Sequence, residues 1–180
     1  SIQVSTAGNY GVIVIAANGC TAYDEAIVTV SDSLINSAVN VAICSGQTTT
    51  LNAGNAGSTY LWSTGATTAS ITVASQGTYT VTVTGTDGCS AVFNNQVNVN
   101  PLPLLQFTAS PLCFGSPTQF VNLSGIPSGS INSFYWSFGD GTTDTSANTS
   151  YQYPLAGTYN VSLVAVSASG CADSLTQQVT

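Results

Sequence analysis

The chain has 180 residues, seven of them Asp or Glu and none Lys, Arg or His, so its formal net charge is −7 with no positive side chain. That balance excludes partners that demand cations: the phosphate backbone of nucleic acids and an anionic membrane surface would both repel it. It also removes the His or Lys base that an activated Ser, Thr or Cys nucleophile needs, so neither an enzyme of that kind nor a cofactor is expected.

Only 4% of residues are charged, but 43% are hydrophobic, and these alternate with Thr, Ser and Asn at the period of a half-buried strand. Residues 1–39 carry the closing strands of a repeat: Gly8-Asn9-Tyr10, the turn Asn18-Gly19-Cys20, and a last strand Ala26-Ile27-Val28-Thr29-Val30. Residues 40–100 read as a full repeat, opening with Val41-Ala42-Ile43-Cys44-Ser45-Gly46, passing through Tyr79–Thr84 and closing with Gln96–Val99. Pro101-Leu102-Pro103 is a short stiff connection, because proline fixes φ and favours an extended neighbour. Residues 101–180 form a third segment, with Cys113-Phe114-Gly115, Tyr135-Trp136-Ser137-Phe138-Gly139-Asp140-Gly141, Ala156–Val166 and Ser169-Gly170-Cys171. No segment has sustained helical spacing, and no apolar run approaches the ~20 residues of a membrane-spanning helix. Membrane insertion is therefore not expected, and the fold class is all-β.

Ser1–Cys20 aligns with Ser70–Cys89 without a gap, so the chain opens within a unit that it later repeats. The first unit is expected to be incomplete, either continued elsewhere or completed by another chain through strand addition. The second unit, with Tyr60-Leu61-Trp62-Ser63-Thr64-Gly65 and Gly77-Thr78-Tyr79-Thr80-Val81, resembles the immunoglobulin-like repeats of large surface and secreted proteins of Bacteroidota. The third is similar to the PKD domain, whose pattern is matched by Trp136, Phe138, Gly139, Asp140 and Gly141, then Gly157, Thr158, Tyr159, Val161, Leu163 and Val166. It departs at Tyr151-Gln152-Tyr153, where that family usually has His-x-Tyr. The resemblance implies tandem β-sandwiches joined end to end, with the tyrosine after Gly-Thr near the start of strand F. The position two residues later, a core cysteine in antibody domains, is Val12, Val81 or Val161 here. The usual bridge between sheets is thus absent, and Trp62 and Trp136 are expected to pack on aliphatic side chains.

Five cysteines, Cys20, Cys44, Cys89, Cys113 and Cys171, show no zinc-type spacing and have no His to join them. They read as disulfide candidates of an oxidising, extracellular setting. Two connectivities are open. In one, Cys44 pairs with Cys171 across the junction of the second and third units, Cys20 and Cys89 bond to preceding domains, and Cys113 bonds to a following one. In the other, Cys44–Cys89 and Cys113–Cys171 are internal bridges and Cys20 bonds to a missing N-terminal half. On the immunoglobulin-like strand assignment Cys44 and Cys89 fall at opposite poles, beyond the about 4.4–6.8 Å between Cα atoms that a disulfide spans.

Asp140 and Asp144 have the look of paired acids, yet the Asp-Gly step is first a turn whose carboxylate bonds its own loop. Asp24, Glu25 and Asp32 form an acidic group without a spaced calcium loop. No metal site is expected. Trp62, Trp136, Tyr60 and Tyr135 are candidates for a sugar-stacking face, though a tryptophan in the third strand of a sandwich is usually core. Asp32-Ser33-Leu34 and Asp173-Ser174-Leu175 resemble a short bacterial O-glycosylation motif, making Ser33 and Ser174 acceptor candidates. The expected role is that of a structural repeat segment of a secreted or cell-surface adhesin, stalk or filament. Its partners are neighbouring repeats of the same protein, with self-assembly into a fibre. The alternative is a carbohydrate-binding accessory region of a secreted enzyme, with surface polysaccharide as ligand. With no Lys or Arg, the chain offers trypsin no cleavage site.

Overall fold

The computed structural model describes residues 2–29, 34–35, 38–110 and 115–180. Among the described residues fifteen strands run in order: β1 Gly8–Ile15, β2 Thr21–Val28, β3 Asn40–Cys44, β4 Thr49–Asn52, β5 Thr59–Trp62, β6 Ser70–Val73, β7 Gly77–Thr84, β8 Ser90–Asn100, β9 Phe107–Ala109, β10 Thr118–Asn122, β11 Ile131–Ser137, β12 Thr143–Asp144, β13 Thr149–Tyr151, β14 Tyr159–Ser167 and β15 Ala172–Val179. The chain is all-β, as its alternating pattern requires. No helix among the described residues is long and apolar enough to cross a membrane. Packing divides the chain into two units, one of Ser1–Ala38, Asn52–Ile71 and Tyr79–Asn95, the other of Val39–Leu51, Thr72–Thr78 and Gln96–Thr180.

β1 and β2 form a two-stranded antiparallel sheet, with Gly8 opposite Val28 and Ile15 opposite Thr21. They correspond to β7 and the start of β8 in the repeat. Val81 and Val83 are fully buried on β7, whereas their counterparts Val12 and Val14 are more than half exposed. Ile13, Ile15, Tyr23 and Ile27 are exposed on the opposite face of the same hairpin.

Between residues 40 and 100 lie a four-stranded sheet, β3-β8-β7-β5, and a two-stranded sheet, β4-β6. Alternation along β8 buries Phe93, Asn95 and Val97 and turns Val92, Asn94 and Asn98 outward, the pleat's period of two. β3 runs parallel to β8, with Asn40 opposite Gln96 and Cys44 opposite Asn100. β5 runs antiparallel to β7, with Thr59 opposite Thr84 and Trp62 opposite Val81. Trp62 is buried, and its indole N–H donates to the Thr68 carbonyl at 2.9 Å, which satisfies the one polar atom that its burial would otherwise strand.

The third segment consists of a three-stranded sheet, β13-β10-β9, and a four-stranded sheet, β12-β11-β14-β15. On β14 the buried residues are Val161, Leu163, Ala165 and Ser167, with Tyr159, Asn160, Ser162 and Val164 between or before them. The core gathers Phe107, Phe120, Trp136, Phe138, Tyr153, Val161, Leu163 and Val179. Trp136 therefore packs on aromatic rings as well as on the aliphatic residues expected: Phe107 meets it edge-on at 5.0 Å between centroids, and Phe120 lies at 5.7 Å. The sheet holding β9 and β10 supplies both phenylalanines. The tyrosine at the start of strand F anchors its own loop twice over: Tyr10 donates to the Thr6 carbonyl at 3.0 Å and Tyr159 to the Leu155 carbonyl at 2.8 Å.

Candidate functional site

One tight turn occurs three times, always before a cysteine. In the first, the Ala16 amide bonds the Cys20 carbonyl at 2.9 Å and the Gly19 amide bonds the Ala16 carbonyl at 2.9 Å. Gly85 and Gly88 reproduce the two bonds before Cys89, at 2.8 and 3.0 Å, and Ser167 and Gly170 before Cys171, at 2.8 and 2.9 Å. Gly19, Gly88 and Gly170 all have φ between +82° and +85°, a region that side chains with a Cβ disfavour. A side-chain oxygen then fixes each cysteine amide: Asn18 Oδ1 for Cys20, Asp87 Oδ1 for Cys89 and Ser167 Oγ for Cys171.

The third of these turns carries a disulfide. Cys171 is bonded to Cys44, with 5.6 Å between Cα atoms and 127 residues of sequence between them. Cys44 ends β3, where its carbonyl accepts from the Gln47 amide at 2.9 Å and Gln47 Oε1 accepts from its amide at 3.1 Å. Asn100, at the end of β8, receives the Ser45 amide at 2.8 Å, and Cys171 Sγ lies 4.0 Å from the same carbonyl oxygen. The parallel register explains why Cys44 does not bond Cys89. Cys44 sits beside Asn100 at one end of β8, whereas Cys89 immediately precedes its other end, roughly 35 Å away at about 3.3 Å per residue. Of the two open connectivities, the structure contains Cys44–Cys171, and the internal pairs Cys44–Cys89 and Cys113–Cys171 are ruled out with it. Cys20 is a free, exposed thiol; Cys89 is exposed; Cys113 and Ser33 lie outside the described residues. Ser174 is exposed on β15.

The acidic turn after Trp136 is held by its own side chains. Asp140 Oδ1 accepts from the Thr142 amide at 3.0 Å and hydroxyl at 2.6 Å, and Oδ2 accepts from the Tyr151 hydroxyl at 2.7 Å. Desolvation pulls its pKa upward, but the bonds from Thr142 and Tyr151 outweigh that and leave it lowered. Asp144 accepts from the Thr149 hydroxyl, from the Ser146 amide and hydroxyl and from the Thr145 amide. These donors, Thr149 first, hold its carboxyl down at about 2. Both acids are thus tied down as ionised acceptors, and neither has the raised pKa that a proton donor needs at neutral pH. Tyr151 stacks on Phe138 at 4.4 Å, meets Tyr153 edge-on at 4.8 Å, and Tyr153 stacks on Tyr159 at 4.0 Å. Tyr153 is 4% exposed and donates to the Phe138 carbonyl at 3.0 Å; burial, with help from Asp140, pushes its pKa up. Reading the sequence alone did not find this ladder, although Tyr151, in place of the usual histidine, close before Tyr153 and Tyr159 was its signal.

Of the four aromatics considered for sugar stacking, Trp62 and Trp136 are buried, and Tyr60 is half-buried with its hydroxyl bonded to the Gly54 and Asn55 carbonyls. Tyr135 is 46% exposed. A groove of about 540 Å³ beside Asp144, Ser146, Asn148 and Gln119 includes one aromatic residue, Phe120, itself 1% exposed. Asp24 accepts from the Glu25 amide at 3.0 Å, and Glu25 accepts from the Tyr23 hydroxyl at 2.8 Å; Asp32 lies outside the described residues. Among the described residues no three His, Cys, Asp or Glu side chains group to hold a metal.

Residues 98–180 match the PKD domain family. Comparison with curated proteins gives no match. Among solved structures, the chain is similar to the PKD1 domain of Vibrio anguillarum Epp, at 28% identity over 44% of this chain and 93% of that one, TM-score 0.42. It is similar to the PKD1 domain of the Vibrio cholerae metalloprotease PrtV, at 29% identity over 44% and 94%, TM-score 0.38. A carbohydrate-binding module structure from the β-sandwich superfamily is 31% identical over 45% of this chain and 34% of its own length, TM-score 0.43.

Proposed function

We propose that this chain is a structural segment of an extracellular repeat protein, a stalk, adhesin or filament whose successive sandwiches are stapled to one another so that they bear load as one strand. The observation that carries this reading is the Cys44–Cys171 bond, which ties the end of β3 to the β14–β15 turn across 127 residues of sequence, inside the compact unit of Val39–Leu51, Thr72–Thr78 and Gln96–Thr180. Disulfides persist in oxidising compartments, which supports a secreted or cell-surface location. A chain with seven acids and no cation packs laterally without desolvating ion pairs, which supports assembly into a fibre.

The working parts are the staple and the two buried tryptophan cores; no residue is assigned a chemical step. Carbohydrate binding, the alternative, draws no support from Trp62 and Trp136, since both rings are inside. Electron microscopy of native, unreduced material tests the proposal. Straight continuous strands that separate into globules on reduction are the expected result. Unconnected globules before reduction would overturn it, as would retention on an insoluble polysaccharide that Tyr135→Ala abolishes.

A further inference from the structure

The four-stranded sheet β12-β11-β14-β15 buries one face against the core and turns the other outward. Directly opposite residues of an antiparallel pair share a face, so the register gives the outward side row by row. Tyr135, Val164 and Ser174 form one row, and Ser133, Val166 and Ala172 form the next. The row on the other side of Tyr135 is all hydroxyl. A tyrosine 46% exposed and two half-buried valines thus make an apolar centre within a rim of hydroxyls, the layout of a protein contact surface.

No side chain on this face of the four strands is charged. The acids of this compact unit are Asp140, Asp144 and Asp173. Asp140 is bonded to Thr142 and to Tyr151, and Tyr151 belongs to the other sheet. Asp144 stands opposite Trp136 and Asp173 opposite Ala165, both buried residues, so these two side chains leave from the inward side. The exposed apolar hairpin of β1 and β2 differs in this respect: Asp24, opposite Val12, marks one of its faces, and Glu25, opposite Gly11, marks the other.

We propose that the outward face of β11, β14 and β15, centred on Tyr135, is where a second copy of this chain docks, sheet against sheet. Two molecules of net charge −7 repel each other, so contact is least opposed where no carboxylate is pressed on another. This face meets that condition and has apolar surface to bury. Strands about 4.8 Å apart, rising about 3.4 Å per residue, give it an area of roughly 400 Å². That is about half of the roughly 800 Å² per partner in a stable complex. One pair of faces is therefore a weak contact, and repeats strung along two neighbouring strands add such contacts through their high effective concentration.

The inference rests on the filament reading and names the surface by which its strands adhere. The test takes the full chain, unreduced and with its free thiols alkylated, and follows backbone amide resonances by NMR as the concentration rises to about 1 mM, where contacts of this size are populated. Resonances of Tyr135, Val164, Val166 and Ser174 are expected to move together. The movement should grow between about 0.05 and about 0.5 M sodium chloride, because salt screens the repulsion between the copies. Tyr135→Ala, which removes an exposed ring, should raise the dissociation constant at least about tenfold with the thermal midpoint unchanged. Ser174→Asp, which sets a carboxylate on each facing surface, should abolish the movement. Spectra that do not change with concentration would overturn the inference and leave the filament reading standing, as would shifts that map elsewhere, weaken with salt or survive both substitutions. Movement of the same resonances on adding a soluble β-glucan oligosaccharide, with none on raising the chain concentration, would overturn the filament reading as well.

Discussion

Cys44 and Cys171 are 5.6 Å apart between Cα atoms and 127 residues apart in sequence, a short bridge across a long loop. Closing a loop of that length removes denatured-state entropy worth about 5 kcal/mol in the chain-entropy treatment, against about 2–4 kcal/mol in typical measurements. Cys44→Ser with Cys171→Ser should therefore lower stability by about 2–5 kcal/mol. Urea unfolding with and without reductant checks this: reductant should shift the parent to the midpoint of the double variant and leave the double variant where it is.

Trp136 and Tyr135 are sequence neighbours on opposite faces of β11, one fully buried and the other 46% exposed. Trp136→Ala removes the ring between Phe107 and Phe120 and the bond from its indole N–H to the Ser146 carbonyl. A loss of about 3–5 kcal/mol is expected, against within about 0.5 kcal/mol for Tyr135→Ala. Thermal unfolding of both variants measures the difference.

Gly139 and Gly141 both have positive φ, +86° and +98°, so alanine at either position pays for a left-handed backbone, about 1–2 kcal/mol. At Gly139 a Cβ would also stand 2.7 Å from the Asn160 carbonyl oxygen, while at Gly141 nothing lies within 4 Å. Gly139→Ala should be the more damaging of the pair, and equal midpoints in thermal denaturation would show that β14 yields to the added methyl.

Asp144 ionises more easily folded than unfolded, its carboxyl being held at about 2 chiefly by the Thr149 hydroxyl. A depressed folded pKa contributes stability above the unfolded value, and that contribution is lost as pH falls through the folded one. The gap in thermal midpoint between the parent and Asp144→Asn should be full near neutrality, narrow below the ordinary aspartate range and close near pH 2. A gap that stays constant across this window would show that the charge plays no part.

The strands, the turns and both tryptophans were legible because each is local: alternation sets a face, Gly after Asn, Asp or Ser sets a turn, and a large ring in a short strand goes inside. The cysteine pairing was legible only as one of two alternatives, since the choice of Cys44–Cys171 depends on β3 running parallel to β8 and placing Cys44 beside Asn100, a long-range register that no local pattern encodes. The aromatic partners of Trp136 were missed for a related reason. Phe107 and Phe120 lie on a different sheet, and only the packing of the two layers brings them to the ring. Asp140 and Asp144 were read correctly as turn acids, because a carboxylate beside Gly and Thr has donors within its own loop.

The bridge between β3 and the β14–β15 turn also sets how far the molecule can be drawn out. A chain of 127 residues has a contour length of roughly 400 Å or more at about 3.3–3.6 Å per residue, and all of it lies inside the loop that the disulfide closes. Tension applied on either side of the bridge passes through the sulfur–sulfur bond, so that even in a fully melted molecule the bridged residues add no reach until that bond is reduced, and only the stretches before Cys44 and after Cys171 can be drawn out.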